Sequence, residues 1–135
     1  MSAEVSSTAA DWTREHKRLG EWNPGKSLLC AIRDYQRYRG QSGWLAGIHK
    51  RWAVLRHRFW SVVSGADIPL NCQIEGGLLL PHPNGVVIHP AARIGPNCLI
   101  FQQVTLGTVA SGGTPVVGGH VDIGAGAKLL GPIVV

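Results

Sequence analysis

The second half of the chain places a large aliphatic residue at every sixth position. The series comprises Ile68, Ile74 and Leu80, then Ile88, Ile94, Ile100 and Leu106, and finally Val117, Ile123, Leu129 and Val135. The residue four positions later is small or β-branched, as at Ala92, Cys98 and Val104. A period of six fits neither a helix nor an alternating strand. It predicts hexapeptide repeats, each forming one short strand and one corner of a triangular prism. We therefore expect a mainly β fold, a parallel β-helix, over residues 67–135.

Two interruptions break this period, a two-residue slip before Ile88 and an insertion over residues 108–116. Because the period resumes in register after the insertion, we expect one continuous coil. A β-sandwich would instead need alternation of period two and turns every ~8–12 residues. The sequence stops at Val135, the opening residue of a hexapeptide. We therefore expect a C-terminally truncated chain with an incomplete coil.

The first half shows helical spacing instead. Residues 26–39 place apolar side chains at three- and four-residue steps, and Gly40 and Gly43 then interrupt the pattern. Residues 43–63 predict a second helix with seven large apolar side chains on one face, namely Trp44, Leu45, Ile48, Trp52, Leu55, Phe59 and Val62. Residues 1–25 lack such a pattern and predict a flexible N-terminal arm with a helical turn near Trp12. The predicted division is thus an arm over 1–25, a helical region over 26–66 and the coil over 67–135.

The second predicted helix is also basic, since it contains Lys50, Arg51, Arg56 and Arg58. A basic, Trp-containing amphipathic helix suits a membrane surface or a nucleic acid, but it also suits packing on its own protein. We favour packing on the protein, because no nucleic-acid motif accompanies the charge and the coil offers an apolar surface. We therefore expect no nucleic-acid partner and no membrane association.

The composition agrees with this division. The 135 residues have a net charge of +5, and 44% of them are hydrophobic, which is enough for a core. Residues 1–66 contain 11 Lys and Arg against 5 Asp and Glu, whereas residues 67–135 contain 2 against 3. No apolar run reaches the ~18 residues of a membrane span, and residues 1–10 lack a secretory pattern. The three cysteines include no CxxC pair. We expect a cytoplasmic protein with reduced thiols, in which Cys72 and Cys98 fill structural corner positions.

Few polar side chains in the coil could support chemistry, and His82 stands out among them. It lies in Pro81-His82-Pro83-Asn84-Gly85, at the two-residue slip, where a displaced corner can direct a side chain outward. Asp67 lies fifteen residues earlier, close to the ~18 residues of one coil, so we expect the two side chains on adjacent coils. A carboxylate beside a histidine fixes its tautomer and stabilises the imidazolium, which suits a general base.

Four segments of the chain resemble the serine acetyltransferase family, within the wider hexapeptide acyltransferases. They are 65–69 (Gly-Ala-Asp-Ile-Pro), 81–90 (Pro-His-Pro-Asn-Gly-Val-Val-Ile-His-Pro), 103–107 (Gln-Val-Thr-Leu-Gly) and 123–131 (Ile-Gly-Ala-Gly-Ala-Lys-Leu-Leu-Gly). The resemblance spans residues 30–135. The combination of the Asp–His spacing with Thr-Leu-Gly and Gly-Ala-Gly-Ala-Lys is much more specific than the Ile-Gly repeats alone.

The resemblance implies a left-handed coil, assembly as a homotrimer and acetyl-CoA as the acetyl donor, with no metal. By position, His82 matches the family's catalytic base and Asp67 matches the carboxylate paired with it. The positions that match backbone contacts to coenzyme A are Gly107, Thr108, Gly124 and Ala125. The implied reaction is direct acetyl transfer to a small-molecule hydroxyl, with L-serine as the leading acceptor, as in cysteine biosynthesis.

Two departures from the family pattern bear on the acceptor. Pro81 stands where the family has an Asp directly before the catalytic histidine. The loop at 111–115 (Ser-Gly-Gly-Thr-Pro) lacks the family's Arg-His pair, which binds the amino-acid acceptor. A hydroxyl of a sugar or polysaccharide is therefore the alternative acceptor.

Two further interpretations stay open. A zinc hydratase on this fold needs a close histidine pair and a third ligand, whereas His82, His89 and His120 lack metal-type spacing. We expect His89 at a structural corner. A non-catalytic trimeric scaffold or membrane-associated module would use the basic helix as its working surface, and it would tolerate the loss of His82.

Overall fold

A computed structural model describes residues 4–135 of the chain. A short 3-10 helix, Trp12–Glu15, precedes two α-helices, α1 (Pro24–Tyr38) and α2 (Trp44–Ser64). Eight short strands follow: β1 (Gln73–Ile74), β2 (Val87–Ile88), β3 (Arg93–Ile94), β4 (Leu99–Ile100), β5 (Thr105–Gly107), β6 (Val116–Val117), β7 (Asp122–Ile123) and β8 (Lys128–Leu130). Both predicted helices are present, and α1 begins two residues earlier than expected because Asn23 caps it and Pro24 opens it.

The strands pair in parallel to form three narrow sheets that the chain visits in rotation. Face 1 contains β1, β3 and β6, face 2 contains β2, β5 and β8, and face 3 contains β4 and β7. Val87 pairs with Thr105 and Ile88 with Leu106, so one regular circuit of the prism takes three hexapeptides. Isolated bridges extend the pattern upstream, from Asp67 to Val87 on face 2 and from Leu79 to Leu99 on face 3. The prediction of parallel hexapeptide strands is confirmed.

The two interruptions seen in the sequence both lie at corners of the prism. The circuit from Gln73 to its partner Arg93 contains the slip. This circuit is therefore two residues longer than a regular one. The next circuit, from Arg93 to its partner Val116, contains the insertion and is longer than both the regular circuit and the one with the slip. The aliphatic residues therefore stay stacked, and those from Ile68 to Ile123 are at most 6% exposed. The small residues at Ala92, Cys98 and Val104 are fully buried.

Helix α1 closes the first end of the prism. Its residues Leu28, Leu29 and Ile32 belong to the same buried cluster as the aliphatic stack of the coil. Gly25 lies against the backbone of Leu80, where an added Cβ would come within 2.5 Å of the carbonyl oxygen. Gln36 donates from its side-chain amide to the carbonyl of Cys72, which fixes the other end of α1 on the first coil. One solenoid end is therefore capped by apolar side chains, as solenoids require.

Helix α2 packs on α1 through small residues, and its apolar stripe points outward. Its buried residues are Ala46, Ala53 and Ser64, whereas all seven large side chains of the predicted core stripe are more than half exposed. The expectation that this stripe packs on the chain's own coil is therefore wrong. The physical reason is that the side of α2 with Ala46 and Ala53 is the buried one, so the opposite side with the large apolar residues faces away from the protein.

The N-terminal segment lies against the corner between faces 1 and 3, where a flexible arm was expected. The buried side chain of Asn97 accepts from the Asp11 N–H (2.7 Å) and donates to the carbonyls of Ser6 and Ala9 (2.8 Å each). Arg14 donates to the carbonyl of Gly77 at 2.7 Å. These contacts are mostly to backbone groups, so hydrophobic periodicity does not reveal them. Within residues 4–135, no helix is both long enough and apolar enough to cross a bilayer.

Candidate active site

The loop that contains His82 is held at its last residues, 84 and 85, against the C-terminal end of α2. The Gly85 N–H donates to the carbonyl of Gly65 at 2.9 Å. Gly65 ends α2 in the left-handed conformation, with φ of 71°, and an added Cβ there would come within 2.6 Å of the Asn84 side-chain oxygen. Only glycine fits both the conformation and the contact. His82 itself is exposed, so its imidazole is available to a ligand.

Asp67 lies at the start of face 2. It forms a bridge with Val87 of β2, the strand that follows the His82 loop. Its N–H donates to the carbonyl of Val86 (2.8 Å), and its carbonyl accepts from the Ile88 N–H (3.0 Å). His57 of α2 also contacts this start of the coil, since its Nε2 lies 2.7 Å from the carbonyl oxygen of Ile68. The backbone of Asp67 is thus fixed from two sides, while the residue is exposed to solvent.

Asp67 and His82 lie at the start and the end of one circuit of the prism, since Asp67 pairs with Val87, which follows the His82 loop. Between them the described part of the chain shows neither a hydrogen bond nor an ion pair. Their pairing therefore stays a prediction.

One edge of the prism joins the His82 loop to two later corners. We call it the histidine edge, and it comprises residues 81–85, 102–103 and 124–126. The Gln103 N–H donates to the carbonyl of Asn84, and the Gly126 N–H donates to the carbonyl of Gln102. Gly124 and Ala125 are exposed at this edge. Within residues 4–135, neither of their N–H groups donates to another backbone group, so both are available to an oxygen of a ligand.

The other two predicted ligand positions lie at a different edge. Gly107 ends β5 and Thr108 follows it, at the corner between faces 2 and 1, where the insertion begins. We call residues 107–114 the insertion edge. The carbonyl of Gly107 accepts from the Gly131 N–H at 3.0 Å, and Thr108 is exposed. The structure therefore places His82, Gly124 and Ala125 on one edge, with the corner of residues 102–103 between them, and it places Gly107 and Thr108 across face 2 from that edge.

Sequence reasoning overlooked Gln102 on the histidine edge. Its side-chain Oε1 is buried and has no hydrogen-bond partner among the described residues. A buried acceptor without a partner is costly and marks a place where a donor is missing. The only signal in the sequence is its position just before the Gln-Val-Thr-Leu-Gly segment. Lys128 supports the neighbouring residue, since its ammonium donates to the carbonyl of Gln103 at 2.7 Å.

The other reactive residue types of the coil have structural surroundings. Burial raises the pKa of the Cys72 thiol and of the Cys98 thiol, and Cys98 donates to the carbonyl of Gly118 at 3.2 Å. His89 accepts from the Ala91 N–H at its Nδ1, within a corner, as expected. Residues 4–135 contain no group of three or more His, Cys, Asp or Glu side chains placed to hold a metal ion.

The fold and this edge define a hexapeptide-repeat protein of parallel coils, with an exposed histidine at a displaced corner. Comparison with known proteins finds similarity to serine acetyltransferases. A serine acetyltransferase of Mycobacterium tuberculosis is 40% identical over 106 residues, which is 64% of this chain and 46% of that protein. No protein-family model matches the chain.

Solved structures give the same result. Serine acetyltransferase isoform 3 of Entamoeba histolytica, solved in complex with cysteine, matches with a TM-score of 0.67 and 30% identity, over 84% of this chain and 40% of that one. A serine acetyltransferase in complex with CoA matches with a TM-score of 0.63 and 28% identity, over 84% of this chain and 45% of that one. The resemblance to serine acetyltransferases is confirmed, and this chain spans less than half the length of these three relatives.

Proposed function

We propose that the chain is an acetyl-CoA-dependent O-acetyltransferase that acts on a small-molecule hydroxyl. The observation that supports this most strongly is the histidine edge. An exposed imidazole lies on a loop held beside Asp67. Further along the same edge lie two backbone N–H groups that have no backbone partner within the described part of the chain. Acyl transfer to a hydroxyl requires a base and donors for the oxyanion, and this edge supplies both kinds of group.

In the proposed reaction, His82 removes the proton from the acceptor hydroxyl as its oxygen attacks the thioester carbonyl. A backbone N–H of the cleft stabilises the oxyanion that forms. The C–S bond then breaks, and the coenzyme A thiolate takes the proton back from His82. Asp67 holds the imidazole in the tautomer that presents its free nitrogen to the hydroxyl. No acyl-enzyme forms, because both substrates are bound together.

The division of the ligand positions between two edges supports a site shared by neighbouring subunits. In one prism, face 2 separates the histidine edge from the insertion edge. In a trimer, the histidine edge of one subunit can face the insertion edge of the next, which brings both sets of groups to one cleft. We infer a homotrimer of left-handed coils with coenzyme A between subunits. The similarity to a serine acetyltransferase solved in complex with CoA supports this donor.

L-Serine is the proposed acceptor, on the strength of the named relatives, and its acetylation would place the enzyme in cysteine biosynthesis in the cytoplasm. A sugar hydroxyl is the second candidate, because residues 108–114 contain no charged side chain. The insertion edge therefore offers no charged partner for the ammonium and carboxylate of an amino acid.

Release of free thiol from acetyl-CoA tests the proposal. We expect release with L-serine or with a sugar acceptor, and a loss of about 100-fold or more in kcat for His82→Ala, since general bases contribute ~10²–10⁴-fold. His120→Ala is the matched control, because His120 is also exposed but lies at the corner between faces 1 and 3. Equal activity of the two variants, or no thiol release by the folded protein with any hydroxyl acceptor, would refute the proposal.

A further inference from the structure

We propose that the outer face of α2 binds the surface of an anionic membrane. This α2 outer face comprises Trp44, Leu45, Ile48, Trp52, Leu55, Phe59 and Val62. The inference is independent of the proposed acetyl transfer, because none of these residues lies at the histidine edge or the insertion edge.

The geometry of α2 separates this face from the rest of the protein. Its members recur at steps of three, four and seven residues, so they share one side of the helix. Ala46 and Ala53, which are buried against the protein, lie on the opposite side. Exposure ranges from 52% at Ile48 to 84% at Val62. Two tryptophans and a phenylalanine are among the seven, and aromatic side chains of this kind favour the boundary between headgroups and acyl chains.

Charge around this face favours an anionic surface. Residues 35–66 contain no Asp or Glu and six Lys or Arg. Arg51 and Arg58 are exposed and lie three or four residues from Leu55, so they border the apolar stripe. Arg56 is different, because it is engaged with Asp34 of α1 at 2.7 Å. Within residues 4–135 neither the Arg51 nor the Arg58 guanidinium has an ion-pair partner. Both thus stand beside the apolar side chains, where lipid phosphates would lie.

The arginines and the apolar side chains together argue against a second copy of the chain, or a nucleic acid, as the partner of this face. A second copy docked through this face would bring Arg51 and Arg58 of both copies together without any acidic residue of α2 to neutralise them. A nucleic acid would satisfy the charge but would leave Ile48, Leu55 and Val62 without an apolar partner. An anionic bilayer surface offers phosphates to the arginines and an apolar interior to the large side chains. Helix α2 has 21 residues, about 31 Å in length, and would lie in the plane of the interface.

Sedimentation with lipid vesicles tests the proposal on the full chain. We expect the protein to sediment with vesicles of equal parts phosphatidylcholine and phosphatidylglycerol at 0.1 M salt, and to stay in solution with phosphatidylcholine alone. Arg51→Gln/Arg58→Gln should weaken the partition coefficient roughly 30-fold, since each basic residue near an anionic surface contributes about fivefold. The matched control is Arg37→Gln/Arg39→Gln, which removes the same charge from exposed positions outside α2 and should change binding less than threefold.

A second pair of variants tests the apolar contribution. Leu55→Ser removes an exposed side chain of the α2 outer face and should weaken binding roughly tenfold. Leu19→Ser removes a fully exposed leucine elsewhere and should leave binding unchanged. Helix content from circular dichroism verifies that each variant is folded.

Three outcomes would overturn the proposal. The first is equal sedimentation with neutral and anionic vesicles. The second is equal binding by the two arginine double variants. The third is absence of vesicle binding combined with dissociation of an oligomer by Leu55→Ser in analytical ultracentrifugation, which would assign this face to a second copy.

Discussion

Loss of the Asn97 side chain should release the N-terminal segment from the prism. Asn97 is fully buried, adopts a left-handed conformation with φ of 62° and holds Ser6, Ala9 and Asp11 through three side-chain hydrogen bonds. At about 1 kcal/mol for each bond, Asn97→Gly should lower the free energy of local opening by about 3 kcal/mol. Glycine is the informative replacement, because it tolerates the left-handed conformation and removes only the side chain.

Trypsin cleavage after Arg14 measures this opening. The Arg14 guanidinium donates to the carbonyls of Gly77 and Asn97 in the docked state, so cleavage requires the segment to detach. When opening is fast relative to cleavage, the rate follows the open population, and about 3 kcal/mol corresponds to a rate increase of roughly 100-fold. Asn97→Ala should add about 1 kcal/mol of global destabilisation, because alanine is strained in the left-handed region.

The Asn97→Asp variant separates hydrogen bonding from packing. Aspartate keeps the acceptor for the Asp11 N–H but turns the two donors into acceptors that face the carbonyls of Ser6 and Ala9. It should open the segment at least as much as glycine does. A cleavage rate for Asn97→Gly within threefold of the native rate would refute the reasoning.

Two other predictions concern stability. Gly95→Ala should destabilise the fold by about 3 kcal/mol, since its Cβ would lie 2.6 Å from a backbone carbon of the next coil. The same change at Gly124, where no atom lies within 4 Å, should be neutral within about 0.5 kcal/mol in urea unfolding, and equal effects would contradict the contact argument. Burial raises the pKa of Cys72 above its ordinary 9.0. The unfolded thiol therefore loses its proton first, so the unfolding free energy should fall as pH rises beyond 9. Cys72→Ala should flatten that fall, and an unchanged slope would exclude this thiol as its source.

The coil was predictable from sequence because its core depends on one strict rule. An aliphatic residue every sixth position must point inward for the strands to stack, and Ile88, Leu106 and Leu129 do so on face 2. The slip at the His82 loop was also visible, since it shifts that register by two residues. The candidate base His82 was therefore found through a departure from the repeat, whereas the candidate coenzyme A positions came from the family resemblance and not from the period.

The N-terminal segment and the orientation of α2 were not predictable in this way. The segment is held by backbone carbonyls and by the single side chain of Asn97, which have no periodic signature. In α2, periodicity identified an apolar stripe but could not tell which side faces the protein. The buried side of α2 contains Ala46 and Ala53, and small side chains such as these do not stand out in a hydrophobic pattern. Whether the His82 imidazole meets Asp67 depends on side-chain positions that no spacing specifies.

Both irregularities of the repeat lie at corners, and this has an evolutionary consequence. The circuits that cross them are longer than the regular circuit of three hexapeptides, yet the aliphatic stack remains continuous. A loop inserted at a prism edge therefore alters the surface without disturbing the interior. The interior and the edge loops therefore depend on separate parts of such a chain, so descendants of one ancestor can exchange or lengthen an edge loop and change the surface while keeping the same core.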